Sequence, residues 1–215
     1  MDDGLLKRLK DEIEGDLHPV RPIGGFWRRI APVAGLWLLL AVAVLTVLGL
    51  RVDHQELGPL GTWLFPAIQL LAVAAVAAFL HQSTIPGSLP PQNATSGVVA
   101  AALVTHLFAV FGTQHIHFSS PPHPIAAAIV CFCFVLALGI PLLVAFVWLV
   151  RSGLFARAGQ LGLLAGLGAG LAAEALWRLH CPYTSWHHIV FSHTLGALVI
   201  AGAGLLYLVR YRTRG

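Results

Sequence analysis

"IAPVAGLWLLLAVAVLTVLGL", residues 30–50, decides the architecture. It is an uncharged apolar run of 21 residues, and a bilayer core of about 30 Å needs about 20 helical residues to cross it. A charge-rich tail of 29 residues precedes it, so it reads as a full span and not as the short apolar core of a cleavable signal peptide. Five further runs follow: Leu60–Leu80, Gly97–Gly112, Pro124–Val150, Ala158–Trp177 and Ile189–Val209. The third is short and carries His106; extended to Thr95 and Gln114 it also reaches spanning length. Backbone groups in lipid must be satisfied within the segment, so these runs are expected to be helices.

Composition agrees. Hydrophobic residues make up 57% of the 215 and charged residues 10%, against about 25% charged in an ordinary soluble domain. The expected fold is therefore an all-α integral membrane protein, a six-transmembrane-helix bundle with a short amphipathic helix at its N-terminus. The expected divisions are a tail over 1–29, a six-helix domain over 30–209 and a C-terminal tail over 210–215.

Orientation follows from the basic residues. Lys7, Arg8, Lys10, Arg21, Arg28 and Arg29 precede the first span, Arg151 and Arg157 lie between spans four and five, and Arg210, Arg212 and Arg214 close the chain. With six spans these eleven of the thirteen share one face, and only Arg51 and Arg178 fall on the other. The positive-inside rule makes that face cytoplasmic, with both termini on it. The net charge of +4 carries no implication of direct nucleic-acid binding.

In the tail, Leu5, Leu6, Leu9, Ile13 and Leu17 recur at helical spacing until Pro19 and Pro22 stop the pattern. Asp11, Glu12, Glu14 and Asp16 are mixed with the basic residues. A lipid-binding face is mostly basic, so this stripe suits a groove on a protein partner better than a membrane surface, the alternative reading.

In span five, Gly162, Gly166 and Gly170 lie four apart, a spacing that lets helices approach closely in lipid. Glu174 follows one turn on, with Arg178 at i+4 as its expected ion-pair partner. One intramembrane charge pair suits a structural role better than the several charges of a pump. No residue pattern points to catalysis.

The chemistry concentrates in "RLHCPYTSWHHIVFSHTLG", residues 178–196, which places Cys181 and four His within fourteen residues on the outer side. His54, His115, His117 and His123 share that side, and Cys131 and Cys133 lie roughly 10–14 Å into span four, about 200° apart around the helix. Outer thiols can be oxidised or can bind soft metals. Three readings stand: a redox pair of Cys181 with Cys131 or Cys133; a Cys/His site for zinc or copper; and an inert set of interfacial His with small apolar Cys. Candidate ligands are Cys131, Cys181, His180, His187, His188 and His117, although no standard zinc spacing is present. A metal-handling or transport protein is the main alternative from another class, and a haem or quinone redox protein a third; the first would need ligands that continue through the bundle.

Three segments resemble the NrsF-type anti-sigma factors: "DLHPVRPIGGFWRRIAPVAGLWLLL" before and into the first span, "CFCFVLALGIP" in the fourth, and "LHCPYTSWHHIVFSHTLGAL" leading into the sixth. The spacing to Pro141 makes Cys131 the better match and Cys133 the extra. The resemblance implies a membrane protein that holds an extracytoplasmic-function sigma factor through its cytoplasmic tail, here residues 4–22. It implies that Cys131 and Cys181 are the pair that senses metal or oxidative stress, with Pro182 shaping the turn. The His at 187, 188 and 193 depart from the pattern and shift the expectation towards a metal signal.

Overall fold

The computed structural model describes residues 24–85, 90–116, 125–151 and 157–212, together with Gly4 and Lys7. All regular structure among them is helical, and six helices are long and apolar enough to cross a bilayer. Helix α1 spans Phe26–Val47. Helix α2 runs His54–Gln82, α3 Gln92–Ile116, α4 Ile125–Val150 and α5 Ala158–Arg178. Helix α6 begins with Trp186–His188, passes through a π-helical turn at Ile189–Thr194 and continues as Leu195–Arg212.

Boundaries shift where local chemistry overrides hydropathy. Helix α2 starts six residues before its apolar run, because Gly58 (φ 66°) and Pro59 bend the chain without ending the helix and a π-helical turn follows at Leu60–Leu64. Helix α3, which contains the shortest apolar run, is 25 residues long and includes both proposed extensions, Thr95 and Gln114.

Helix α5 is the hub, packed against α6, α4 and α2. It is buried along almost its whole length, from Leu161 to Arg178 apart from Leu163. The glycine stripe explains this. A Cβ on Gly166 would stand 2.5 Å from the Ile200 carbonyl oxygen and 2.6 Å from the Ala201 Cα; on Gly162 it would meet Gly204 O at 2.5 Å, and on Gly170 Ala197 O at 2.7 Å. The α5 and α6 backbones touch through these positions, as small-residue seams allow.

The end of the bundle where α1 begins and α6 ends is fastened by Arg29, which is buried. Its guanidinium donates to Thr84 Oγ1 at 2.7 Å and to the Leu149 carbonyl in the last turn of α4. Thr84 in turn donates to His81 O at 2.7 Å. Cations at a helix C-terminus satisfy carbonyls that have no intrahelical partner.

Candidate functional site: a buried cysteine–histidine cluster

At the opposite end the α1–α2 and α5–α6 loops are knitted together. The Arg51 amide donates to Leu179 O at 2.8 Å. The Arg51 side chain grips both Asp53 oxygens at 2.6 and 2.8 Å and reaches Pro182 O at 3.2 Å. Arg178 is committed to Glu174, with Nε 3.0 Å from Oε1. The two basic residues on this side therefore both face a carboxylate, so their charge is neutralised locally.

The knitted loops hold Cys181 over the side of α4. Its Sγ lies 3.6 Å from Cys131 Sγ and 3.4 Å from His188 Nε2. The two sulfurs and one ring nitrogen each from His188 and His193 all fall within 4.8 Å of one another, and all four residues are buried. Cys133 is exposed and is not one of the four. The Cys181 thiol is held well above its ordinary range by its hydrogen bond with Cys131 and then by burial, so it keeps its proton at rest. A cleft of about 190 Å³, lined by Val130, Cys131, Phe134, His180, Cys181 and Tyr183, leads to the thiols.

The π-helical turn brings the two imidazoles together. In a regular α-helix, residues five apart differ by about 140° around the axis; a π turn bonds i to i+5 and stacks them. His188 and His193 sit at its two ends with ring centroids 5.5 Å apart.

Among the other residues expected at the site, His180 is turned to the Gly49 carbonyl, 3.0 Å from its Nδ1. His187 is exposed and lies over Trp186. Neither joins the group. His117 and the tail residues Leu5, Leu6, Leu9, Ile13 and Leu17 lie outside the described residues. Pro182 contributes its carbonyl to Arg51.

Below the thiols lies a second polar layer that the sequence did not expose as a unit. Glu174, fully buried, faces Arg178, His193 Nδ1 at 3.6 Å and His106 Nδ1 at 3.8 Å. His106 also bonds Gln69 Nε2 at 3.1 Å and Thr194 Oγ1 at 2.8 Å, and Arg178 donates to Ala109 O at 3.2 Å. The Gln69 amide donates to His106 Nδ1, which leaves Nε2–H to donate to Thr194. This layer ties α2, α3, α5 and α6 together directly beneath the cysteine–histidine group.

The arrangement can do two things chemically. Two sulfurs this close can be oxidised to a disulfide, and two thiolates with two imidazoles can hold a metal ion of the zinc type.

No solved structure matches the chain. It is 27% identical over 211 residues, covering 94% of both chains, to the "Anti-sigma-F factor NrsF" of Caulobacter vibrioides (strain NA1000 / CB15N). The family described as NrsF, negative regulator of sigma F, matches residues 14–211. With nearly its whole length inside that match, this chain belongs to the NrsF family of negative regulators.

Proposed function

We propose that the protein is a membrane-embedded anti-sigma factor that releases its sigma factor when the Cys131–Cys181 pair is engaged. Its family is regulatory and not enzymatic. In this reading the six helices cross a bacterial inner membrane with both termini in the cytoplasm. The tail over 1–29 clamps an extracytoplasmic-function sigma factor with Leu5, Leu6, Leu9, Ile13 and Leu17. The segment 30–209 is the sensor, and 210–215 a cytoplasmic end.

The observation that carries the reading is the 3.6 Å separation of two buried sulfurs that come from residues 50 positions apart. Engagement of both sulfurs by a metal, or their oxidation to a disulfide with two electrons and two protons passed to the oxidant, ties α4 to the α5–α6 loop. The distribution of basic residues along the sequence supports the orientation, since six spans would put eleven of the thirteen at one end. A transport protein would need further ligands toward that end. Among the described residues, the Cys131, Cys181, His188 and His193 group is where donors come close enough to share an ion.

Two experiments test the reading. Deleting residues 1–22 should abolish co-purification of a sigma factor while the protein still inserts; retained capture would remove the tail from the mechanism. Cys131→Ser and Cys181→Ser should each leave the sigma-dependent target repressed under metal or oxidant, and Cys133→Ser should respond like the parent. Normal induction in both single variants would refute the sensing role.

A further inference from the structure

We propose that Cys131, Cys181, His188 and His193 form a preorganised tetrahedral site for one thiophilic divalent cation of the zinc class, with Glu174 orienting His193. The proposal builds on the reading of the two thiols as sensors and adds the ligand set, the geometry and a positioning carboxylate.

The distances argue for it. With metal–sulfur bonds of about 2.3 Å and metal–nitrogen bonds of about 2.0–2.1 Å, a tetrahedron has edges of about 3.8 Å between sulfurs and about 3.6 Å between sulfur and nitrogen. The measured edges are 3.6 Å for Cys131 Sγ to Cys181 Sγ and 3.4 Å for Cys181 Sγ to His188 Nε2. The remaining edges fall within 4.8 Å, so the site closes on an ion by adjustments of about an ångström.

His193 supplies the independent observation. It is 1% exposed, and neither of its ring nitrogens makes a hydrogen bond. A buried imidazole in that condition is costly, and a metal bond to one nitrogen with a carboxylate facing the other removes the cost. Glu174 Oε1 stands 3.6 Å from Nδ1, which leaves Nε2 for the ion. Metal-bound histidines almost always face such an outer carboxylate or carbonyl through their second nitrogen. Binding releases the thiol protons to water, and two thiolates with two neutral imidazoles then give the tetrahedral S2N2 set that favours zinc over magnesium or calcium.

The test uses full-length protein in detergent, reduced and stripped of metal, titrated with cobalt(II). One cobalt per chain should bind, with the intense d–d bands of a tetrahedral ion and sulfur-to-cobalt charge transfer, and zinc should displace it. His193→Ala should weaken binding at least about tenfold. Glu174→Gln should weaken it about 10- to 100-fold, the range for loss of an outer-shell partner. X-ray absorption of the zinc-loaded parent, which needs no variant, should show two sulfur and two nitrogen ligands. A weak octahedral spectrum, a shell without two sulfurs, or unchanged affinity in His193→Ala would overturn the proposal. Sigma release is scored separately: S2N2 binding without release leaves the site standing and removes the metal signal. His193→Ala should retain release by oxidant, because disulfide formation needs the thiols alone.

Discussion

Oxidising the purified protein with diamide should join Cys131 to Cys181 and leave Cys133 as a free thiol. The sulfurs start 3.6 Å apart and a disulfide requires about 2.05 Å, so the approach needed is about 1.5 Å, within reach of side-chain rotation and a small helix shift. Cys133 is exposed on a different side of α4 and would need about half a helical turn of rotation to compete. The bond closes a loop of 50 residues, for which the chain-entropy relation gives about 4 kcal/mol of stabilisation. Diamide takes up two electrons and two protons from the pair. Alkylation after denaturation, before and after reduction, followed by peptide mass spectrometry identifies the bonded residues. The unfolding midpoint in a denaturing detergent should rise on oxidation and return with dithiothreitol. A bond that contains Cys133, crosslinked dimers in place of the internal bond, or an unchanged midpoint would refute the geometric reasoning.

Three further outcomes follow from the packing. Gly166→Ala must push α6 back by about 1 Å to relieve a 2.5 Å contact with Ile200 O, and should cost about 1–3 kcal/mol in reversible unfolding; Gly202→Ala, with open space around its Cβ, should be neutral or slightly stabilising, and equal effects at the two sites would contradict the seam. Glu174→Ala leaves Arg178 buried without its carboxylate and should destabilise by about 3–5 kcal/mol, read as a lowered melting temperature; a melt matching the parent would show that the pair contributes little. Arg29→Ala removes bonds to Thr84 and the end of α4 and should cost about 1–3 kcal/mol while blunting sigma release more than sigma capture; full induction would show that the contact plays no part in signalling.

Much of the architecture is legible in residue order, because each of six apolar runs near spanning length becomes one long helix. The glycine stripe and the Glu174–Arg178 pair are likewise visible as local spacings of four. The site is only half legible. His188 can be proposed from proximity to Cys181, but His193 lies five residues further on, and a regular helix would carry it about 140° away. Only the π turn returns it, and no residue pattern in "IVFSHT" announces that turn. His180 fails for the opposite reason: adjacency to Cys181 suggests a ligand, yet the loop bonds to Leu179 and Gly49 turn it elsewhere. Gln69, His106 and Thr194 come from three different helices, so their meeting around Glu174 depends on packing that hydropathy does not encode.

Arg29 gives α4 a mechanical meaning. Cys131 lies near one end of this helix and Leu149, held by Arg29, near the other, 18 residues or about 27 Å apart. Pro141 sits between them, about 15 Å from the first and 12 Å from the second along the axis. Even if the full approach of about 1.5 Å fell on α4 as a rod turning at the proline, its far end would swing by no more than about 1.2 Å in the opposite sense. The residue meeting that swing is the one from which the chain runs back into the tail. The lever and its latch are then a single helix and a single arginine.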